Sequence, residues 1–221
     1  MPIILFPTAL EAGPFLGMVE SGVESVIGRR GCITGRVSGR EVTVCISGIG
    51  QANTAQAVTA IIERCEPDLI ILAGCAGAFA ESGLAVGDVA AASSETFAEL
   101  GIHTTDGFIG FETTGLPIIE RDGVKYYSTF PTRGIGGIKS GPFLTVASIT
   151  GTRERAAELY ARYGAVCENM EGGAAAQVAL LYGVSFIEIR GISNIVGERD
   201  KTNWDIPLAV GNCAKTLMEY I

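Results

Sequence analysis

The sequence lacks the residue patterns of several common kinds of site. It contains one histidine, His103, and none of its six cysteines belongs to a CxxC pair. Zinc sites usually draw on Cys and His ligands that are close in the sequence, so no metal and no cofactor are expected. No basic stripe runs along the chain, whose formal charge is −8, and this argues against nucleic acid as a partner.

Long apolar runs are also missing. No uninterrupted apolar stretch is long enough for a membrane-spanning helix, so a membrane is not an expected partner. Residues 1–15 are apolar, but they have neither a basic n-region nor a small-residue cleavage site, and we interpret them as a first strand rather than a signal peptide. A cytoplasmic location is therefore expected, with the six cysteines as free buried thiols rather than disulfides.

What the chain does contain is an alternation of apolar strands and amphipathic helices. With 221 residues, 48% of them hydrophobic, we expect a single domain over residues 1–221 with a sizeable core. The predicted strands are residues 3–6, 32–37, 41–47, 68–72, 88–92, 143–149, 165–167 and 184–189. The predicted helices are residues 50–65, 152–163, 172–182 and 206–220. This order predicts an α/β fold in three αβα layers around a mixed, twisted central sheet.

Glycine clusters follow two of the predicted strands. They are Gly48-Ile49-Gly50 and Gly74-Cys75-Ala76-Gly77. Ligands of open α/β sheets bind at the carboxyl ends of strands, where glycines let the backbone approach a ligand closely. Taken singly, each cluster is explained better by a tight strand-to-helix turn, because short glycine motifs are common.

Two carboxylates also stand at predicted strand ends. Glu11 follows the first strand in a stretch without other charges, and Glu171 precedes an apolar helix. Such a pair is what glycosidic hydrolysis needs, one carboxylate to bind the sugar and one to activate water. The alternative for Glu11 is a solvated turn residue, and the alternative for Glu171 is a charge that stabilises the start of a helix.

Five ordered motifs resemble the nucleoside phosphorylase/hydrolase family over nearly the whole chain. They are the two glycine clusters, Gly87-Asp88, the segment 167–175 around Met170-Glu171, and Arg190-Gly191-Ile192-Ser193-Asn194. The resemblance implies the fold named above, a nucleoside substrate, and a homo-oligomer, a dimer or larger, in which a neighbouring subunit often completes the pocket.

The resemblance also implies roles for particular residues. Glu171 would bind the ribose 2′- and 3′-hydroxyls, with Met170 against the sugar ring and Asn169 beside it. Glu11 would position and deprotonate the attacking water. The other implied contacts are backbone from Ala76 and Gly77, an aromatic at or near Phe143 covering the purine, and Asn194 facing N7 and O6 of the base. Asn194 as a simple loop cap remains the alternative.

Within the family, residues 95–101, 194–200 and 204–207 are most similar to nucleosidases that release hypoxanthine. Phosphorylases of the hexameric branch carry an arginine where this chain has Leu72, so hydrolysis is favoured over phosphorolysis. A methylthioadenosine/adenosylhomocysteine-type nucleosidase and a purine nucleoside phosphorylase remain alternatives, although the former usually has Asp at the position of Asn194. A non-catalytic nucleoside-binding protein is a third, but a pure binder has no need of a water-activating carboxylate.

Overall fold

The computed structural model describes residues 1–221. Its five α-helices are α1 (Ala9–Leu16), α2 (Gln51–Cys65), α3 (Arg153–Tyr163), α4 (Gly172–Tyr182) and α5 (Ile206–Tyr220). Its strands are β1 (Pro2–Phe6), β2 (Glu20–Ile27), β3 (Arg30–Val37), β4 (Arg40–Ile46), β5 (Leu69–Ala78), β6 (Val89–Phe97), β7 (Gly101–Thr104), β8 (Gly107–Gly110), β9 (Ile119–Arg121), β10 (Val124–Tyr126), β11 (Thr129–Pro131), β12 (Lys139–Thr145), β13 (Cys167–Asn169) and β14 (Ser185–Ile195). No helix is long and apolar enough to cross a membrane.

Ten of the strands form one mixed sheet, which confirms the predicted fold class. Its order is β11-β6-β12-β13-β5-β1-β4-β3-β2, and β14 pairs with both β5 and β6. The strands β5, β14, β6, β12 and β13 therefore close into a ring at one end of the sheet. Helices α1 and α5 pack against the core on one face, while α2 and α4 pack against the core on the other.

The helices predicted from apolar periodicity are those observed, and their ends are set by local chemistry. The Thr152 side chain caps α3 by accepting from the backbone N–H of Arg155, as the residue type predicts. Gly183 ends α4 with a φ of 75°, a left-handed conformation that glycine adopts without steric cost. Outside residues 100–139, where the sequence indicated only loops and short strands, two elements were not predicted, the polar strand β2 and the short helix α1, which contains Pro14.

Five strands differ clearly from their predicted bounds. β6, predicted over residues 88–92, continues to Phe97. β5 and β14 continue through the motifs that we expected to be turns, and they end at Ala78 and Ile195. Most of these positions hold glycine, alanine, cysteine or serine. Such small side chains let the two strands continue side by side. The predicted strands 143–149 and 165–167 are displaced, because β12 ends at Thr145 and β13 begins only at Cys167.

The prediction of six free thiols is wrong for one pair, since Cys32 and Cys45 form a disulfide. The two residues lie directly opposite each other on the antiparallel strands β3 and β4, with their Cα atoms 4.2 Å apart. The predicted strands 32–37 and 41–47 flank Ser38-Gly39, a residue pair typical of a hairpin turn, and counting back from that turn places Cys32 opposite Cys45. The register of this hairpin therefore indicated the disulfide, but the absence of a secretory signal favoured free thiols in the prediction. The other four cysteines are free.

Candidate active site

A cavity of about 330 Å³ lies at the ring end of the sheet, where β1, β5, β13 and β14 end. Seven residues predicted to belong to the site line it: Glu11, Ala76, Gly77, Asn169, Met170, Glu171 and Asn194. They come from four separate parts of the chain, so the fold brings together what the sequence analysis had linked only through motifs. The cavity lining contains neither lysine nor arginine.

Glu11 lies in the first turn of α1 and is only 6% exposed. It is therefore not a solvated turn residue. Thr8 begins this helix, accepting from the Glu11 N–H and donating its hydroxyl to Glu11 Oε2 at 2.7 Å. Glu11 Oε1 accepts from the backbone N–H of Cys75 at 3.0 Å and from its thiol at 3.4 Å. Burial, and then the Glu11 charge, raise the pKa of Cys75 to about 12, so Cys75 remains a thiol donor. These contacts hold the carboxylate in one orientation at the cavity wall.

Gly74 allows this carboxylate to approach the buried Arg190. A Cβ at Gly74 would lie 2.7 Å from Glu11 Oε1 and 3.0 Å from Arg190 Nη1, so no larger residue fits. The glycine cluster was expected to let the backbone approach a ligand closely. Gly74 instead gives room to the Glu11 carboxylate, and the backbone there is strand rather than turn.

Glu171 stands at the N-terminal end of α4 and is 4% exposed. Its Oε1 accepts from the N–H of Gly50 at 2.8 Å, and its Oε2 accepts from Arg190 Nη2 at 3.2 Å. Asn169 supports the turn, since its Oδ1 accepts from the N–H groups of Glu171 and Gly172 at 2.8 and 2.7 Å. Both predicted glycine clusters therefore serve the two carboxylates, through Gly50 and Cys75.

Behind Glu171 lies a fully buried group of charges that the sequence analysis missed. Arg190 donates to Glu188 Oε1 at 2.8 Å, and Glu95 accepts from Asn169 and Thr145 at 2.6 and 2.7 Å. Burial lowers the pKa of Arg190, but Glu188, Glu171 and Glu11 together raise it, so the guanidinium stays charged. Burial, and then the Glu188 carboxylate, raise the pKa of Glu95 well above its usual value.

This raised pKa favours the protonated form of Glu95, while Glu188 is the carboxylate that accepts from Arg190. A Cβ on Gly172 would overlap both Glu95 Oε1 and Glu188 Oε2, so the two oxygens border the same small space beside this glycine. Two buried carboxylates in contact cannot both be ionised. The acid pair leaves one negative charge on Glu188 to hold Arg190, and Arg190 in turn holds Glu171.

Asn194 reaches the cavity from β14, opposite Gly77 of β5. Its side chain accepts from the Ser193 hydroxyl at 2.8 Å and donates to the Ile195 carbonyl at 3.1 Å. A Cβ on Gly77 would lie 3.1 Å from Asn194 Nδ2, so this glycine leaves room for the amide. The amide has both a donor and an acceptor to offer a ligand.

The expectation that Phe143 covers the purine is wrong. Phe143 is fully buried in the apolar core inside the strand ring and does not line the cavity. Because β12 ends at Thr145, the residues that reach the cavity come after it, at Val146 and Ile149. The aromatic residue of the cavity wall is Trp204, the only tryptophan. It belongs to the segment 204–207 that carries the resemblance, but it was not expected in the site.

A larger cavity, of about 660 Å³, lies elsewhere, between the β7–β8 hairpin and the strands β10 and β11. Its single carboxylate is Glu112, with Lys125 and Arg162 among its other polar residues. It contains no pair of carboxylates fixed by hydrogen bonds. The larger volume therefore favours this cavity as the active site, whereas the carboxylates favour the smaller one. We give the chemistry more weight because the smaller cavity unites the predicted motifs.

Comparison with known proteins agrees with this arrangement. Residues 3–221 match the phosphorylase superfamily, and the chain belongs to this family. A protein named futalosine hydrolase from Thermus thermophilus is 32% identical, with 100% of this chain and 95% of that protein aligned. A 5′-methylthioadenosine/S-adenosylhomocysteine nucleosidase from Halalkalibacterium halodurans is 31% identical over 78% of this chain and 75% of its own length.

The solved structures similar to this chain have the same fold. One is the 5′-methylthioadenosine/S-adenosylhomocysteine nucleosidase from S. pneumoniae with a transition-state inhibitor. Its TM-score is 0.83 at 22% identity, covering 100% of this chain and 98% of that one. The predicted family and fold are thereby confirmed, and the hypoxanthine-releasing branch indicated by the sequence corresponds to the relatives named futalosine hydrolase.

Proposed function

We propose that this chain hydrolyses the N-glycosidic bond of futalosine, releasing hypoxanthine and dehypoxanthine futalosine. The observation that carries the proposal is a single cavity in which Glu11 and Glu171 are two of the three lining carboxylates, with no cationic side chain in the lining. The similarity to hydrolases and nucleosidases makes the chain an N-ribosyl hydrolase, and similarity to futalosine hydrolases supports the choice of substrate. The resemblance implies that the reaction belongs to menaquinone biosynthesis.

In the proposed mechanism the ribose lies between the two carboxylates. Glu171 accepts from the 2′- and 3′-hydroxyls, because a carboxylate offers two acceptor oxygens to a vicinal diol. Glu11 takes a proton from the attacking water, and its charge stabilises the oxocarbenium-like transition state. Asn194 hydrogen-bonds the departing base at N7 and O6. The hydrogen bonds from Thr8, Cys75, Gly50 and Arg190 keep the carboxylates aligned before substrate arrives.

Water rather than phosphate is the proposed nucleophile. The phosphorylase arginine corresponds to Leu72, which is fully buried in the apolar core on the α2 side of the sheet. The one guanidinium near the carboxylates, Arg190, is 1% exposed and already paired with Glu171 and Glu188. No cationic side chain of the cavity lining is therefore available to bind a phosphate dianion beside the two carboxylates.

The 5′ arm of futalosine bears a carboxylate, for which Arg133, Lys139 and Arg199 are candidate partners. Arg199 is the candidate placed beside the cavity, because its guanidinium lies 5.1 Å from the ring centroid of Trp204. Lys139 instead donates to the Ser82 carbonyl. We propose Arg199 as the arm's partner, and a homo-oligomer as the working form.

The test is base release without phosphate from two substrates, futalosine and methylthioadenosine. The proposal expects kcat/KM to be higher for futalosine, with hypoxanthine as the released base. A preference for methylthioadenosine would favour the runner-up nucleosidase. Binding of both nucleosides without base release would instead identify a non-catalytic binding protein.

Asn194 is the residue through which we test base recognition. We expect Asn194→Asp to lower kcat/KM on a hypoxanthine nucleoside by roughly 10–10³-fold, comparable to losing one transition-state donor. A carboxylate cannot donate to O6, whereas the amide can. The preference for the hypoxanthine nucleoside over the matching adenine nucleoside should narrow or invert. Measuring kcat/KM for both substrates checks this, and an unchanged ratio would remove Asn194 from purine recognition.

A further inference from the structure

Glu95 and Glu188 are carboxyl groups that the proposed mechanism does not use. Glu95 lies on β6 and Glu188 on β14, and both are fully buried. Glu95 accepts hydrogen bonds from Thr145 and Asn169. Glu188 Oε1 accepts from Arg190, but Glu188 Oε2 is buried without a hydrogen-bond partner. One oxygen of the pair therefore lacks the donor that buried polar atoms almost always have.

Gly172 lets the two carboxyl groups approach the same point. A Cβ at this glycine would overlap Glu95 Oε1 and Glu188 Oε2, so only glycine leaves room for both. Two ionised carboxylates in this arrangement would repel each other, and Glu188 Oε2 would stay unpaired. One proton on the pair removes the repulsion and supplies the absent donor.

The charges around the pair favour this single proton. Arg190 is the only salt-bridge partner of Glu188, and Glu95 has none. Burial raises the pKa of both carboxyl groups, but Arg190 lowers that of Glu188, whereas the Glu188 charge raises that of Glu95 further. The carboxylate of Glu171 also raises the pKa of Glu188. Burial raises the pKa of Cys167 on β13 well above its usual value, so this neighbour stays a neutral thiol.

We propose that Glu95 and Glu188 share one proton and act as positioning residues for hydrolysis, because their single negative charge keeps Arg190 from neutralising Glu171. The inference rests on the proposed function, in which Glu171 binds the ribose diol. Arg190 Nε lies 2.8 Å from Glu188, and Arg190 Nη2 lies 3.2 Å from Glu171. The shorter ion pair is thus the one behind the cavity, which leaves Glu171 charge with which to accept from the hydroxyls.

Either other protonation state would disturb this balance. Without the proton, two buried negative charges would face each other beside Gly172. With a second proton, Arg190 would be balanced only by Glu171 and Glu11, the carboxylates of the cavity wall. It would then hold Glu171 more strongly and weaken the contact with the diol. A buried charge that loses one partner makes its remaining interactions correspondingly more important.

Gln variants of the two residues separate this role from simple packing. In Glu188→Gln the amide carbonyl can accept from Arg190 and the NH₂ can donate to Glu95, which then carries the charge. In Glu95→Gln the charge stays on Glu188. Each single variant should therefore keep kcat/KM within about 10-fold of wild type, the scale of one hydrogen bond. The double variant has no charge at the pair, and its kcat/KM should fall at least about 10-fold below the product of the two single effects.

Infrared difference spectroscopy detects the shared proton without any turnover. At neutral pH, the spectrum of wild type minus that of either single variant should contain the carbonyl band of a protonated carboxyl group, because removing one partner lets the other ionise. A residue with only a packing role would not produce this band in both subtractions. Glu154→Gln, at an exposed position of α3, is the matched control and should produce no such band.

Two results would overturn the proposal. One is the absence of the carboxyl band from the difference spectrum of either single variant, and the other is a folded double variant whose loss equals the product of the single losses. If the double variant does not fold, the spectra of the single variants decide. If the band behaves as expected but futalosine is not cleaved, only the proposed substrate is wrong.

Discussion

Glu11→Gln is expected to reduce kcat by about 10²–10⁴-fold, the usual contribution of a general base. Gln has the shape of Glu, and its carbonyl can still accept one of the hydrogen bonds that Thr8 and Cys75 donate. It can also bind a water molecule, but it cannot take the proton from it. Substrate affinity should therefore change little, because the lost interaction belongs to the transition state.

The measurement combines single-turnover rates with a separate binding constant for futalosine. Glu20→Gln, at an exposed position of β2, serves as the control for charge removal and should behave like wild type. A Glu11→Gln enzyme with nearly normal kcat would exclude this carboxylate from water activation.

Glu171→Ala should weaken binding, because its contact with the diol exists in the ground state, and should also slow the reaction, because hydrogen bonds to the 2′-hydroxyl strengthen in the transition state. Two hydrogen bonds to a charged acceptor contribute about 1.5–3 kcal/mol each, so we expect a loss of about 10²–10⁴-fold in kcat/KM. The change also leaves the Gly50 N–H without its acceptor and removes one of the carboxylates that balance Arg190.

A substrate lacking the 2′-hydroxyl distinguishes the diol contact from general disruption. Wild type should cleave the 2′-deoxy substrate much more slowly than the natural one, whereas Glu171→Ala should treat the two nearly alike. If the variant discriminates between them as strongly as wild type does, Glu171 does not bind the 2′-hydroxyl.

The sequence predicted the helices, and which residues share one cavity, better than it predicted the strands around that cavity. The ends of α2, α4 and α5 follow from apolar periodicity and from end residues such as Gly183, which are local signals. The course of β5 through Gly74 and Gly77 depends instead on its pairing with β14, and no local pattern reports a pairing partner so distant in the chain. Helix α1 was missed because Pro14 and its short length mask its periodicity.

The same division applies to the side chains. Glu11 and Glu171 stand out in the sequence as isolated charges beside apolar segments, and the resemblance assigned them roles. Glu188 lies inside the predicted strand 184–189, where a carboxylate is costly unless it is paired, so it offered a signal that could have been used. Glu95 gives no such sign, since only the fold shows that it meets Glu188 beside Gly172. Phe143 was assigned wrongly because a displacement of β12 by four residues moves its side chain into the core.

Water as the nucleophile is the central claim, and the mass of the sugar product formed in phosphate buffer tests it most directly. Futalosine would be incubated with the wild-type enzyme in excess phosphate, and the products separated as soon as hypoxanthine appears. We expect only the free sugar, dehypoxanthine futalosine, formed at the same rate without phosphate, because no cationic side chain lines the cavity beside the carboxylates to bind that anion. Accumulation of the corresponding sugar 1-phosphate would contradict the account.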